Sequence, residues 1–471
     1  MRYISTRGGS HSPEGPQTFE DVLLAGLAPD GGLYVPESWP QIDLNALSGK
    51  SYTEIAEIVM YPFVEGSISR EDLRAIINET YGPEVFRDAD VVPLHHLPNY
   101  AGGNIHIMEQ FHGPTIAFKD VALQLLGRLF DHVLKKRNER VTIVGATSGD
   151  TGSAAIEGCK TCDNIDIFIL HPKGRVSDVQ RKQMTSVNAP NVHNIALEGT
   201  FDDCQNMVKA MFNDKEFRNG VNLSAVNSIN WARIMAQIVY YFACSLKLGA
   251  PEKDVSFIVP TGNFGNVFAA YCARNMGLPI KTLGISTNKN DILTRFFETG
   301  EMKIDGAHAT LSPSMDIQIS SNFERYLFDL CGRDSARLAD LMDTFKEDGH
   351  ISVSTDDLEN ARTQFTAARA DDDETLALVK ECYDQTGYIL DPHTAVGMAG
   401  AKKISGETDG AVVLLSTAHP AKFPDAVEKA IGVRPELPAH LSDLFERAEI
   451  MTEQPNDLEI VQAFVRSHTR V

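Results

Sequence analysis

The stretch Arg140-Val-Thr-Ile-Val-Gly-Ala-Thr-Ser-Gly-Asp-Thr-Gly-Ser-Ala-Ala-Ile-Glu-Gly158 decides the fold. A short apolar run at 140–145 enters a turn of glycines and hydroxyls and leaves it as a helical stretch at 151–158. A strand apolar on both faces that runs straight into a helix is the building unit of a parallel sheet covered on both sides. The unit recurs in both directions. Downstream, strands at 165–170 and 192–197 are followed by helices at 176–185 and 201–212. Further on come a strand at 255–259, a helix at 265–276, a strand at 280–285, and a strand at 411–416 between helices at 394–403 and 425–431. Upstream, a strand at 104–110 precedes a long amphipathic helix at 118–136. The spacing predicts an α/β protein of doubly wound sheets, whose ligands sit where strands turn into helices.

The first 97 residues read differently. They are mainly helical, with helices at 18–27, 52–63 and 69–80, and the Pro/His stretch at 91–98 reads as a connector. The most apolar helical candidate, 238–248, ends in Lys247 and Gly249. It falls well short of the ~18 residues of a membrane span. The N-terminus has no apolar core of a secretory signal, and seven scattered cysteines suit reduced thiols in the cytoplasm. Cys159-Lys-Thr-Cys162 lacks the second pair that a zinc ribbon needs and reads as a structural pair. The 471 residues leave room for two or three domains of ~100–200 residues. With 43 basic against 64 acidic side chains the net charge is −21, which disfavours nucleic acid and anionic membranes as partners. A small anionic substrate remains compatible, because a few placed cations reverse the field inside one pocket.

Three strand-to-helix turns are the places to look for chemistry. Gly145-Ala-Thr-Ser-Gly-Asp-Thr-Gly-Ser153 offers hydroxyls and free N–H groups at a helix start, suited to a carboxylate or a phosphate, or simply to a turn. It lacks the Gly-Lys-Ser/Thr of a Walker loop. Pro260-Thr-Gly-Asn-Phe-Gly-Asn266 lets an oxyanion approach its backbone or serves as an ordinary helix cap, and lacks the GxGxxG spacing of dinucleotide folds. Ser416-Thr-Ala-His-Pro420 places a hydroxyl at a strand end, where it meets a ring nitrogen or caps the next segment. Lys119 begins a helix after an apolar run; in a desolvated pocket such an amine becomes a nucleophile, and otherwise it is solvated. Neither His106 with Glu109 nor His95 with His96 makes a metal signature, and no metal site is expected. There is no GxSxG elbow. The run Asp371-Asp-Asp-Glu374 reads as a cation site or, preferably, as a helix N-terminus whose dipole favours carboxylates.

Together these segments resemble threonine synthases, pyridoxal-phosphate enzymes of the tryptophan-synthase-β group, fold type II. The opening Tyr3-Ile-Ser-Thr-Arg-Gly8 and Asp30-Gly-Gly-Leu-Tyr-Val-Pro36 are similar to the N-terminal domain of the longer members. Ala117-Phe-Lys-Asp120 resembles the cofactor-lysine motif, and the three turns resemble, in order, the substrate loop, the cofactor-phosphate loop and the segment facing the pyridine nitrogen. The resemblance implies two doubly wound catalytic domains plus the mainly helical N-terminal domain. The boundaries expected are 1–97 for the N-terminal domain, 98–139 with 230–471 for a large catalytic domain, and 140–229 for a small one. It implies conversion of O-phospho-L-homoserine and water to L-threonine and phosphate, with pyridoxal 5′-phosphate as cofactor. Lys119 would hold the cofactor as an internal aldimine and then shuttle protons. Gly262, Asn263, Phe264, Gly265 and Asn266 would cradle its phosphate, and Thr417 would meet its ring nitrogen. Asp150 stands where related enzymes often carry Asn and would approach the ring hydroxyl. Ser148 and Thr151 are expected at the substrate carboxylate, and Lys173, Asn230 and Arg233 at its phosphate. The rival readings are a threonine or serine dehydratase of the same fold, a non-catalytic scaffold, and a Rossmann oxidoreductase.

Overall fold

All eight residues of the strand Ile165–Pro172 are buried, as are all six of Val255–Pro260. Strands with no polar face must lie inside a sheet covered on both sides, and each sits in the interior of one of two mainly parallel sheets. The computed structural model describes residues 1–8, 15–225 and 227–471. They form two compact units: Met1–Val22, Leu27–His112 and Ser228–Glu436 in one, and Leu23–Gly26, Gly113–Asn227 and Leu437–Val471 in the other.

In the larger unit the strand order is Phe365–Arg369, Ile280–Thr287, Val255–Pro260, Ala411–Ser416, Ile105–Glu109 and Leu94–Leu97. The first five run parallel, with Leu283 opposite Phe257 and Val412 opposite Ile105. The last is antiparallel, His96 opposite His106. This corrects the expected connector at 91–98: Pro93 and Pro98 flank a short, partly exposed edge strand, the one place in a sheet where proline is tolerated. In the smaller unit the order is Thr452–Gln454, Val192–Leu197, Ile165–Pro172, Val141–Ala146 and Leu223–Ser224, all parallel.

The units do not follow the expected domain boundaries. The N-terminal helices Phe19–Ala25, Tyr52–Val64 and Arg70–Thr80 fall, but for residues 23–26, in the larger unit. Tyr3 and Phe63 explain this, their rings lying 5.9 and 5.6 Å from that of the buried Trp231. The helix Lys119–Arg137 belongs to the smaller unit, packed on Asp150–Cys159. A Cβ on Gly127 would stand 2.1 Å from the Gly158 carbonyl, so glycine permits that close approach. The C-terminal residues also return there: Thr452–Gln454 forms the sheet edge, and Val461 and Val465 join Phe168 and Leu197 in one apolar cluster. A single edge strand and one helix face carry no alternation that a sequence reading could detect.

Local signals behave as their chemistry requires. Asp371 caps the helix Asp372–Thr386 in a reciprocal box with Glu374, so the acidic run is a helix start. Cys159 and Cys162 are free and buried, and the Cys162 thiol donates to the Gly158 carbonyl at 3.6 Å. Among the described residues no helix is long and apolar enough to cross a membrane.

Candidate active site

In the smaller unit, Lys119 opens its helix and is nine-tenths buried. Its Nζ donates to Asp150 Oδ2 at 3.1 Å. The turn leading to it is strained: Ile116, a β-branched residue, adopts φ 54°. Asp120 braces that turn, accepting from the Thr115 N–H at 2.8 Å and from its hydroxyl at 2.7 Å. Asp150 begins its own helix after Gly149, whose φ of 144° only glycine adopts readily. A Cβ at Gly149 would also lie 2.4 Å from the Gln180 amide carbon. The Thr147 hydroxyl accepts from the N–H groups of Gly149 and Gly152 at 3.0 and 2.9 Å, which shapes the loop. Ser148 is exposed and Thr151 half-buried at this helix start, where the first N–H groups have no intrahelical acceptor.

The structure does not place Lys173 as expected. Its half-exposed ammonium is held by Glu453 at 2.7 Å and Glu198 at 3.6 Å, both keeping it charged, beside the edge strand Thr452–Gln454. In this structure its ammonium is thus occupied by two carboxylates.

In the larger unit, the loop 261–266 leaves the buried strand Val255–Pro260 and starts the helix Gly265–Asn275. Phe264 caps that helix with φ 61°, a strain balanced by its ring packing on Phe323 at 4.9 Å and Phe365 at 5.7 Å. A Cβ on Gly262 would meet the Ser314 carbonyl at 3.0 Å. The carbonyls of Gly262 and Asn263 are taken by the Ser320 hydroxyl and the Asn322 N–H, which turns them away from the helix start. Asn266 is fixed through its side chain by Tyr240, Tyr241 and Gln110, and its N–H lies in the first turn of the helix, where no intrahelical acceptor exists. Behind the loop, Thr6 and Arg7 of the N-terminal motif grip the buried Glu324, Arg7 through two hydrogen bonds.

Thr417 is buried just after the strand Ala411–Ser416. The preceding residue is anchored: Ser416 Oγ lies 3.0 Å from Thr394 Oγ1, which donates to the buried Asp391. Asn230 caps the helix Trp231–Lys247 by accepting from the Ala232 N–H at 3.0 Å. One turn in, Arg233 is buried, and its Nε and Nη1 have no hydrogen-bond partner among the described residues. Burial pushes its guanidinium down to about 10. A buried cation without an acceptor is costly, and an anionic ligand is the partner that relieves it.

The pyridoxal-phosphate-dependent enzyme model matches residues 85–346, more than half the chain. Models of the threonine synthase N terminus and C-terminal region match 2–81 and 394–465. A threonine synthase of Pseudomonas aeruginosa is 57% identical over 99% of this chain and 98% of its own. The crystal structure of pyridoxal-phosphate-bound threonine synthase from Brucella melitensis superposes with a TM-score of 0.95 at 52% identity, covering all of both chains. That of the yeast enzyme does so at 0.94 and 40%, over 99% of this chain and 98% of that one. The two parallel sheets and the lysine-bearing helix start are thus those of a fold type II pyridoxal-phosphate enzyme. Within that class, the chain belongs to the threonine synthase family.

The residues fit that cofactor. Gly262 and Gly265 leave a cradle that a Cβ would fill, at 3.0 Å from Ser314 and 3.2 Å from Asn322. Asn263 Oδ1 and Gln110 Nε2 are buried and unpartnered beside it among the described residues. The residues that the sequence did not single out are Gln180, Asp120, Asp391, His393 and Glu324. Asp120 alone carried a signal, as part of the lysine motif.

Proposed function

We propose that the chain converts O-phospho-L-homoserine and water to L-threonine and phosphate, as a pyridoxal-phosphate-dependent lyase of threonine biosynthesis in the cytoplasm. The observation that favours a phosphorylated substrate is the buried Arg233 guanidinium, two of whose nitrogens have no partner among the described residues. A dehydratase acting on threonine or serine presents no phosphate to such a group.

Lys119 Nζ carries the cofactor, the loop 262–266 receives its phosphate on backbone N–H groups, and Thr417 meets its ring nitrogen. The bound cofactor supplies the electron sink. The rest falls to the chain. Protons must leave Cα and Cβ, return at Cγ and finally at Cα. Lys119 Nζ, released by substrate, serves as the base and acid for these transfers. Asp150, 3.1 Å away, steadies Nζ whenever it is an ammonium. Ser148 and Thr151 bind the substrate carboxylate at the helix start, and Asn230 and Arg233 orient its phosphate. A hydroxyl at Thr417, unlike a carboxylate, leaves the ring nitrogen free of a full counter-charge.

The test is phosphate release from O-phospho-L-homoserine by yellow, cofactor-loaded protein, with threonine identified as product. Ketoacid formation from threonine without phosphate release from phosphohomoserine would install the dehydratase instead.

A further inference from the structure

Gln180 lies on the short helix Asp178–Thr185, away from every motif, yet it is buried against the residue that faces Lys119. Its Nε2 donates to Asp150 Oδ1 at 2.7 Å while Lys119 donates to Oδ2 at 3.1 Å. The other end of the amide faces the Ser177 hydroxyl, which donates to Gln180 Oε1 at 3.0 Å. With the –NH2 end at Asp150, both carboxyl oxygens accept from nitrogen donors, an arrangement that suits a carboxylate and opposes a carboxylic acid. Gly149 completes the fit, since any side chain at that position would collide with the Gln180 amide.

The same helix grips the other support of Lys119. Gln183, three residues on and hence on the same face, donates to the Thr115 carbonyl at 3.1 Å, inside the strained turn. Its opposite side is tied down: Arg181 and Thr185 both reach Glu449, at 2.9 and 2.8 Å.

We propose that Gln180 is a positioning residue of the reaction, whose amide keeps Asp150 ionised and aimed at the Lys119 nitrogen. The proposal rests on the reading of Lys119 as the cofactor-bearing residue. It explains why an aspartate is usable at position 150. A carboxylate there needs a fixed neutral donor on its second oxygen, and a glutamine supplies one without competing as a cation for Lys119.

The experiment titrates the visible absorption of the pyridoxal-phosphate-loaded protein, whose midpoint reports the proton on the Lys119 nitrogen. Gln180→Glu adds a second carboxylate beside Asp150, and the midpoint is expected to rise by about one pH unit. Gln180→Met keeps the volume but removes the donor. Asp150 then holds its proton more tightly, and the midpoint is expected to fall by several tenths of a unit. In both variants kcat should drop tenfold or more while KM for phosphohomoserine stays within about twofold. A merely structural glutamine would lower the melting temperature and leave the midpoint alone. Midpoints equal to wild type in both variants overturn the proposal. Wild type that shows no visible band with pyridoxal phosphate overturns the cofactor reading itself, and this proposal with it. The two failures are therefore distinct. If Gln180→Glu fails to fold, the sign of the Gln180→Met shift decides.

Discussion

His393 Nδ1 lies 2.7 Å from Asp391 Oδ2, with both side chains buried at the start of the helix Pro392–Ser405. The opposite ring nitrogen accepts from the Ser314 N–H at 3.2 Å, which leaves Nδ1 as the donor toward Asp391. Ser314 backs Gly262 in the proposed phosphate loop. From the same carboxylate, Thr394 leads to Ser416, the neighbour of Thr417. One aspartate thus fixes the supports of both proposed ends of the cofactor.

Asp391→Asn keeps a good helix cap but replaces an acceptor with a donor toward His393. Cofactor affinity should fall at least tenfold, measured by equilibrium dialysis. Global stability should drop by only about 1–3 kcal/mol in urea, the cost of one unsatisfied buried group. An unchanged affinity with the same stability loss would reduce Asp391 to a cap.

How much of this was legible in the sequence depends on the kind of signal. The strands Val192–Leu197 and Ala411–Ser416 were readable to the residue, because a buried parallel strand is an unbroken apolar run between turn residues. The edge strand Leu94–Leu97 was not, since its half-exposed His-His pair and flanking prolines imitate a loop. The helices between Ile292 and Thr386 drew little notice, their strand Phe365–Arg369 being too short and mixed to stand out. In the site, Lys119 and the glycine loops were visible because close backbone approach demands glycine and strand ends collect ligands. Gln180 and Asp391 act through distant partners, and no spacing along the chain reports a contact across 30 residues. Lys173 shows the converse: its charge was legible, but the two glutamates that pair with it come from elsewhere in the chain.

Lys119 separates charge from chemistry. Lys119→Arg retains a cation opposite Asp150 and should keep stability within about 1 kcal/mol of wild type, whereas Lys119→Ala leaves a buried carboxylate short of its partner and should cost about 1–3 kcal/mol. Both should lose phosphate release by at least about 10³-fold, because neither can carry the cofactor and move protons at neutral pH. Activity in Lys119→Arg within tenfold of wild type would remove Lys119 from its role.

Glu449 gives the fold an acid limb. Its hydrogen bonds from Arg181, more than offsetting burial and helped by Thr185, hold its carboxyl down from the ordinary 4.5 to about 2. A depressed carboxyl stabilises the protein fully above the unfolded value. That contribution is lost as pH falls from about 4.5 toward about 2. Because solvent screens this partly exposed group, about 1 kcal/mol is expected at neutral pH. Urea midpoints between pH 6 and 3 should decline less steeply in Glu449→Gln. Parallel declines would show that Glu449 does not clamp the helix Asp178–Thr185.

Arg233 should show stability and function in opposition. Its guanidinium is buried with Nε and Nη1 unpaired among the described residues, so the fold without substrate carries an unrelieved desolvation cost. Arg233→Met fills similar space without a charge. The ligand-free variant should therefore melt a few degrees higher than wild type, corresponding to about 1–3 kcal/mol. The same change should raise KM for phosphohomoserine at least tenfold, since a charged hydrogen bond to the substrate phosphate is lost. Inorganic phosphate, added to cofactor-loaded protein, should raise the melting temperature of wild type more than that of the variant. A variant that melts lower than wild type and binds phosphohomoserine as tightly would place Arg233 in the scaffold, and the substrate phosphate elsewhere.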